Sequence, residues 1–453
     1  MGALVARLPL GPDVILVSTA VSSIRNVPLR TSSEEDRPSV VNLGETRCQM
    51  SVSQKQPCDV FCMFLFLFMF MFMFTTSAET GRADDFVKTS GTMFTVSGKP
   101  FFVTGVNNHY LTYGTEAEVV RVLDDSVALG ATVVRVFLEP VIGSLDGTVP
   151  TIWDWKSNAD SSDLGVKGTY LLYWDSDKDK MAFNDGRNGM QKVDFLIAEA
   201  KKRDLRLIIA FLDFWAYTGG SQEMAAWYNS PDKNTFFFTD PRPKRDYRGW
   251  VSHVLERLNP ATGLYYKDDP TIMAWELMNE GNADPEQLRL AWVAEMSTYV
   301  KSQDHNHLVG SGDAGQNGGS SRNLQDDLSI PTLDYGTWHG YPLYVKMTPE
   351  EFDNRIRQFC DVAPDYQKPV LLEEFGYARS NSNQADVYSQ WLHTLSQDRN
   401  CAGWLVWRLV SLQEDGKYPV DNYDQFDIHN DGRRIWRVLK SATIPAPGTQ
   451  GSP

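Results

Sequence analysis

The chain has 453 residues, enough for one large core or two to three average domains. Its 42% hydrophobic and 22% charged residues are ordinary globular chemistry, which excludes a disordered or fibrous protein. The formal net charge of −15 argues against nucleic acid and anionic membrane surfaces as partners, since both need a basic face.

The first 78 residues differ from the rest. They hold six basic and six acidic side chains and no tryptophan, so the whole negative charge lies beyond them. Val60–Phe74 is an unbroken apolar run of 15 residues. A membrane-spanning helix needs roughly 20 residues, whereas the apolar core of a secretory signal needs about 7–15. The small residues Thr75, Thr76, Ser77 and Ala78 follow the run and fit a cleavage site. Residues 50–78 are therefore expected to be a signal peptide, residues 1–49 an unassigned leader or over-extended start, and the mature chain secreted. An uncleaved anchor through 60–74 is the alternative. Only Cys360 and Cys401 lie beyond the leader, too few for a disulfide scaffold. Export would let the two pair, but sequence cannot place them within bonding distance.

From Phe94 onward, short β-rich runs alternate with helical stretches. Eight strand candidates follow in order: Phe101–Val106, Thr132–Phe137, Arg206–Leu212, Ile272–Leu277, His307–Gly310, Leu333–Thr337, Val370–Glu374 and Gly403–Trp407. Most are continuous apolar runs, as parallel strands covered on both faces require. Between them, Thr115 and Glu118 form a capping box before Val119–Leu129. Asp284 is placed to cap, and Pro285 to start, a helix reaching about Val300. Val193–Ala200 and Phe352–Phe359 show helical spacing. Eight β/α repeats predict an α/β fold, a (β/α)8 TIM barrel over residues 79–443, with 444–453 a disordered tail. A doubly wound sheet would carry a glycine-rich phosphate turn after the first strand, and Gly105-Val106-Asn107-Asn108 is not one.

A barrel puts its chemistry at the C-terminal ends of the strands. Two glutamates stand there, Glu280 after strand four and Glu374 at strand seven. Facing carboxylates are what glycosidic cleavage needs, one protonated and one ionised. Strand-end acids that merely pair with helix ends or basic residues are the alternative. Arg135 on strand two is placed to hold Glu374 ionised. That pairing predicts the higher pKa for Glu280. Asn279, His339, Tyr341 and Trp407 are further strand-end candidates for sugar contacts. The long segment Leu138–Arg187 carries Trp153, Trp155, Tyr170, Tyr173 and Trp174 and is expected to wall the cleft. The 13 tryptophans suit a ligand with flat faces, sugars above all; a tryptophan-rich core is the other reading. His305-Asn306-His307 lacks a third ligand in sight, and Asp427, Asn430 and Asp431 read as a polar turn, so no metal or organic cofactor is expected.

Several of these stretches are also recognisable as motifs. The run Asp268-Asp269-Pro270-Thr271-Ile272-Met273-Ala274-Trp275-Glu276-Leu277-Met278-Asn279-Glu280 is one. The others are Lys368-Pro369-Val370-Leu371-Leu372-Glu373-Glu374-Phe375-Gly376 and Phe237-Phe238-Thr239-Asp240-Pro241. Through them the chain resembles glycoside hydrolase family 5, most of all the endo-β-1,4-mannanase branch of plants and fungi, from about Phe94 to Arg437. The resemblance implies Glu280 as acid/base, Glu374 as nucleophile, and Arg135, Asn279, His339, Tyr341 and Trp407 around them. It also picks Glu374 over Glu373; strand alternation says only that one of the two points inward. Trp215, Trp153 and Trp174 complete the expected sugar-binding set. The chain departs from the branch where Val136-Phe137-Leu138-Glu139-Pro140 follows Arg135 without the usual tryptophan. It departs again at Asp213-Phe214-Trp215, where the branch has Asn-Asn-Trp, and at Val406-Trp407-Arg408, where it has Phe-Trp-Gln. The implied activity is retaining hydrolysis of internal bonds in a β-mannan-type polysaccharide by a monomer. Another family 5 specificity (endoglucanase, exo-β-mannosidase, transglycosylase) and a non-catalytic carbohydrate-binding barrel are the alternatives.

Overall fold

The computed structural model describes residues 85–152, 168–419 and 424–443. The expected leader and signal peptide, Trp153, Trp155 and the tail 444–453 lie outside the described residues. Among the described residues no helix is long and apolar enough to cross a membrane.

The apolar runs form eight strands: β1 (Val103–Asn107), β2 (Val133–Phe137), β3 (Arg206–Ala210), β4 (Ile272–Glu276), β5 (Leu308–Gly310), β6 (Gly336–Gly340), β7 (Val370–Phe375) and β8 (Cys401–Val406). They are buried almost throughout and pair in parallel in the order β5-β4-β3-β2-β1-β8-β7-β6. The two ends of this order meet. Asp334 donates its backbone N–H to Val309 O at 2.9 Å, and His339 to Ala314 O at 3.0 Å. The helices that follow the strands in turn are α1 (Glu116–Leu129), α2 (Met190–Lys202), α3 (Pro241–Leu255), α4 (Glu286–Gln303), α5 (Arg322–Leu328), α6 (Pro349–Cys360), α7 (Gln384–Gln397) and α8 (Arg434–Ala442). This is the expected (β/α)8 barrel.

Helix starts and strand limits show how locally the chain decides. The capping box of α1 forms, with Glu118 N–H on Thr115 Oγ1 at 3.2 Å and Thr115 N–H on Glu118 Oε2 at 2.9 Å. Asp284 does not cap α4. The helix begins at Glu286, and Pro285 occupies the cap in an extended conformation, its carbonyl accepting from Leu288 N–H at 3.0 Å. Strand six runs over Gly336–Gly340, three residues later than expected. Its two glycines look like strand breakers. They are instead places of close approach. A Cβ on Gly336 would lie 2.4 Å from Leu324 of α5, and one on Gly340 would lie 2.2 Å from Phe352 of α6.

Six tryptophans, Trp250, Trp275, Trp292, Trp338, Trp391 and Trp404, are among the largest fully buried side chains, in the layer between strands and helices. The tryptophan density therefore reports mainly a core, and truncating one such ring costs about 3–5 kcal/mol. An antiparallel three-stranded sheet (Val87–Ser90, Met93–Val96, Lys99–Phe101) packs Val87 and Phe94 against Val103, Val133, Ile208, Met273 and Leu371 of the barrel strands. Cys360, at the end of α6, forms a disulfide with Cys401 at the start of β8.

Candidate active site

Arg135 organises the C-terminal end of the barrel. It sits on β2, fully buried, and each nitrogen of its guanidinium donates to an acceptor. Nε donates to Glu276 Oε2 at 2.8 Å, Nη2 to Asn279 Oδ1 at 2.9 Å, and Nη1 to Glu374 Oε1 at 2.6 Å and Asn107 Oδ1 at 3.2 Å. Glu373 Oε2 lies 3.3 Å from Nε. Burial works against this charge, but Glu276, Glu373 and Glu374 outweigh it and keep the guanidinium protonated.

Glu280 comes from the turn after β4. Its φ of +51° is in the left-handed region, a cost of about 1 kcal/mol for a residue with a Cβ. The turn is held on both sides: Asn279 N–H donates to Leu212 O at 2.9 Å and Glu280 N–H to Gly312 O at 2.8 Å. Both side-chain oxygens have partners, Trp215 Nε1 at 2.7 Å and His339 Nδ1 at 2.6 Å. Glu374 Oε2 accepts from Tyr341 OH at 2.6 Å and lies 3.5 Å from His339 Nδ1. One ligating atom from each of Glu280, His339 and Glu374 lies within 4.8 Å of the others. These three could reach a common cation, but their oxygens and nitrogens are already bonded and Arg135 supplies a positive charge at the same place.

Both glutamates of the Glu373-Glu374 pair turn inward. Alternation allows only one, but the ladder between β6 and β7 slips. Trp338 pairs with Leu372 and His339 with Glu374, so Glu373 is an extra residue in a bulge. Glu374 faces the cavity. Glu373 is fully buried beneath it, near Arg135 and 3.4 Å from His339 Nε2.

The expected order of the two pKa values is reversed. Burial pushes Glu280 up, but the hydrogen bond and charge of His339 and the bond from Trp215 win, holding it below the ordinary 4.5. Burial also pushes Glu374 up, and there it prevails over His339, Arg135 and Tyr341. Arg135 is bonded to Glu374 as expected, yet shares its charge among several acids. His339 is pushed up to about 10; burial opposes its charge, but Glu374, Glu280 and Glu373 outweigh that. The carboxylates on either side of His339 thus favour its charged form.

The pair opens into a cavity of about 360 Å³. Asn279, Tyr341, Trp407 and Trp215 line it, with Glu280 and Glu374. Trp215 is 37% exposed, and Trp407 is half-buried against Phe137 at a centroid distance of 6.1 Å.

The family model described as GH family 5 beta-mannosidase-like matches residues 177–402. The chain is 31% identical over 369 residues to a putative mannan endo-1,4-beta-mannosidase 9 of Oryza sativa subsp. japonica, covering 72% of this chain and 82% of that one. The chain belongs to glycoside hydrolase family 5. Another relative in sequence is mannan endo-1,4-beta-mannosidase 3 of Arabidopsis thaliana, 27% identical over 393 residues, covering 78% of this chain and 89% of that one. Among solved structures, the endo-1,4-beta-mannanase of Rhizomucor miehei superposes with a TM-score of 0.66 at 28% identity, covering 79% of this chain and 98% of that one.

In the structure of this chain, part of the expected sugar-binding set lies elsewhere. Trp174 is buried, 5.8 Å from Trp227 and edge-on to Tyr228, and is a core residue. Of the segment Leu138–Arg187, the described residues include the strands Val141–Ser144, Leu172–Asp175 and Lys180–Phe183, and among those described only Glu139 lines the cavity. The reading of residues missed His109, Glu139, Asp213, Tyr344, Arg408 and Asp424, all on the cavity wall. Asp213 and Arg408 stand at departures from the branch pattern, which was the available signal. His307 is a satisfied core histidine, bonded to Asp304 at 2.6 Å and to Asp269 O at 3.0 Å.

Proposed function

We propose that this protein is a retaining endo-β-1,4-mannanase that cleaves internal bonds of mannan, glucomannan or galactomannan. The observation that carries the reading is the carboxylate pair. Oxygens of Glu280 and Glu374 lie within 4.8 Å of each other on one cavity. Retaining pairs sit about 5–5.5 Å apart, whereas inverting pairs need about 6.5–9.5 Å to seat a water. The names of the curated relatives and of the structural neighbours supply the mannan specificity.

In this mechanism Glu374 attacks the anomeric carbon and forms a glycosyl ester. Glu280 gives its proton to the departing sugar oxygen, then takes one from the water that cleaves the ester. His339 Nδ1 lies 2.6 Å from Glu280, within reach for proton exchange with it. Asn279 offers its amide to the substrate, and Trp407 and Trp215 give flat apolar faces to sugar rings.

We also assign residues 50–78 to export; the apolar run Val60–Phe74 and the Cys360–Cys401 bridge, a feature of oxidising compartments, support this. N-terminal sequencing of protein recovered from the medium tests it.

The main test is a panel of β-linked polysaccharides with product lengths resolved. Galactomannan should release a ladder of oligosaccharides and carboxymethyl cellulose little reducing sugar, and Glu374→Ala should abolish turnover. Monosaccharide alone as product, preference for the cellulose, or an active Glu374→Ala variant overturns the reading.

A further inference from the structure

We infer that Tyr344 and Asn317, which stand together on the cavity wall, form a sugar subsite on the leaving-group side of the bond that is cleaved. This rests on the proposed glycosidase reading of the site and adds where its substrate extends.

The strand order divides the mouth of the barrel into two arcs. Glu280 follows β4 and Glu374 lies on β7, so the narrow arc between them carries β5 and β6, and the wide arc carries β3, β2, β1 and β8. The groups that hold the nucleophile and the sugar it attacks belong to the wide arc. Arg135 on β2 bonds Glu374 at 2.6 Å. The Asn279 amide is pinned between Arg135 and Asp213, which follows β3, at 2.9 Å each. Trp407 follows β8 and lines the same cavity. The departing sugar therefore lies over the narrow arc.

Three residues that follow β5 and β6 line the cavity: Asn317, Tyr341 and Tyr344. Tyr341 is 4% exposed and serves Glu374. Tyr344 is 45% exposed, and its ring is braced by Tyr341 at 5.5 Å and Phe426 at 6.4 Å. A braced and exposed aromatic ring on a cavity wall offers a flat apolar face with a polar tip, which suits the C–H face and hydroxyl edge of a sugar. Asn317 adds an amide, which both donates to and accepts from hydroxyls. The backbone fastens the two segments together. Tyr341 N–H donates to Asn317 O at 3.4 Å, and Tyr344 N–H to Tyr341 O at 2.9 Å. Asn317 itself holds a left-handed φ of +54°.

The experiment compares kcat/KM on a β-1,4-manno-oligosaccharide with kcat/KM on β-mannobiosyl fluoride, whose leaving group carries no sugar. The proteins are wild type, Tyr344→Ala and Asn317→Gly, with Glu374→Gln as control. Glycine accepts the backbone of position 317. Thermal melting selects the folded variants, and either one suffices. The ratio of oligosaccharide to fluoride should fall about tenfold in Tyr344→Ala and about fivefold in Asn317→Gly. If wild type cleaves both substrates and the control is dead, an unmoved ratio, or an equal loss on both substrates as a purely structural role would give, overturns the inference. If wild type does not cleave the oligosaccharide, or the control stays active, the glycosidase reading fails first, and the inference falls with it.

Discussion

Removing one oxygen atom from the site tests its electrostatics. Tyr341 OH donates to Glu374 Oε2 at 2.6 Å. The Tyr341 ring stacks on Phe426 at 5.2 Å and 13°, so Tyr341→Phe keeps the ring in place and deletes only the donor. A hydrogen bond to an ionised group contributes about 1.5–3 kcal/mol. At 1.36 kcal/mol per pKa unit, its loss raises the Glu374 pKa by about one to two units. Glu374 attacks only when ionised, and burial already holds it above the ordinary 4.5. Activity is therefore lost as pH falls through that raised value, and in the variant it is lost sooner. At the pH where half of the wild-type Glu374 is ionised, a shift of one to two units leaves about 10% to 1%, so kcat/KM falls about five- to fiftyfold. At higher pH, where both proteins are ionised, the difference shrinks to a few-fold.

The same shift has a stability signature. An acid whose folded pKa lies above its unfolded one favours the fold below the unfolded value and loses that contribution as pH rises through the folded one. Tyr341→Phe should therefore melt close to wild type below about pH 4.5 and lower than wild type at neutrality, where the carboxylate lacks its donor. The kinetic assay is reducing-sugar release from β-mannan across the acid and neutral range; the stability assay is a melt at each pH. An acid limb that stays put while neutral activity collapses would show that Tyr341 acts on the substrate and not on the ionisation of Glu374.

Three further outcomes follow from the geometry. Glu280→Gln should lower kcat by about 10²–10⁴-fold on polysaccharide. On a substrate whose leaving group needs no proton, the same variant should accumulate a mannosyl ester on Glu374, visible as a mass increment. Replacing Cys360 and Cys401 by serine removes a crosslink between residues 41 positions apart and should cost about 4 kcal/mol, read from the urea midpoint and matched by reduction of the wild type. Arg289 is 2% exposed and holds Asp327 at 2.7 Å and Glu286 at 2.6 Å. Arg289→Met leaves a buried carboxylate without its cation and should cost about 3–5 kcal/mol in the same assay.

The barrel was legible because its strands are continuous apolar runs, and a parallel strand covered on both faces has little choice of composition. Strand six was misplaced for the same reason: Gly336 and Gly340 carry no apolar signal, and the need for them lies in Leu324 and Phe352, far along the chain. Arg135, Asn279, His339, Tyr341, Trp407 and the two glutamates were legible as strand-end polar residues. Trp174 was not, since an aromatic that packs on Trp227 is spelled like one that faces a sugar. The Glu373-Glu374 pair marks a different limit. Period-two reasoning needs an unbroken ladder, and the bulge opposite Trp338 and His339 turns a residue that should face outward into the acid beneath Arg135.

The order of the two proposed catalytic pKa values was misread for a related reason. Naming Arg135 as a neighbour of Glu374 gave the sign of one interaction, and that interaction is present at 2.6 Å. How many acids share the guanidinium, how deeply Glu374 is buried, and that His339 bonds to Glu280 are properties of the assembled site.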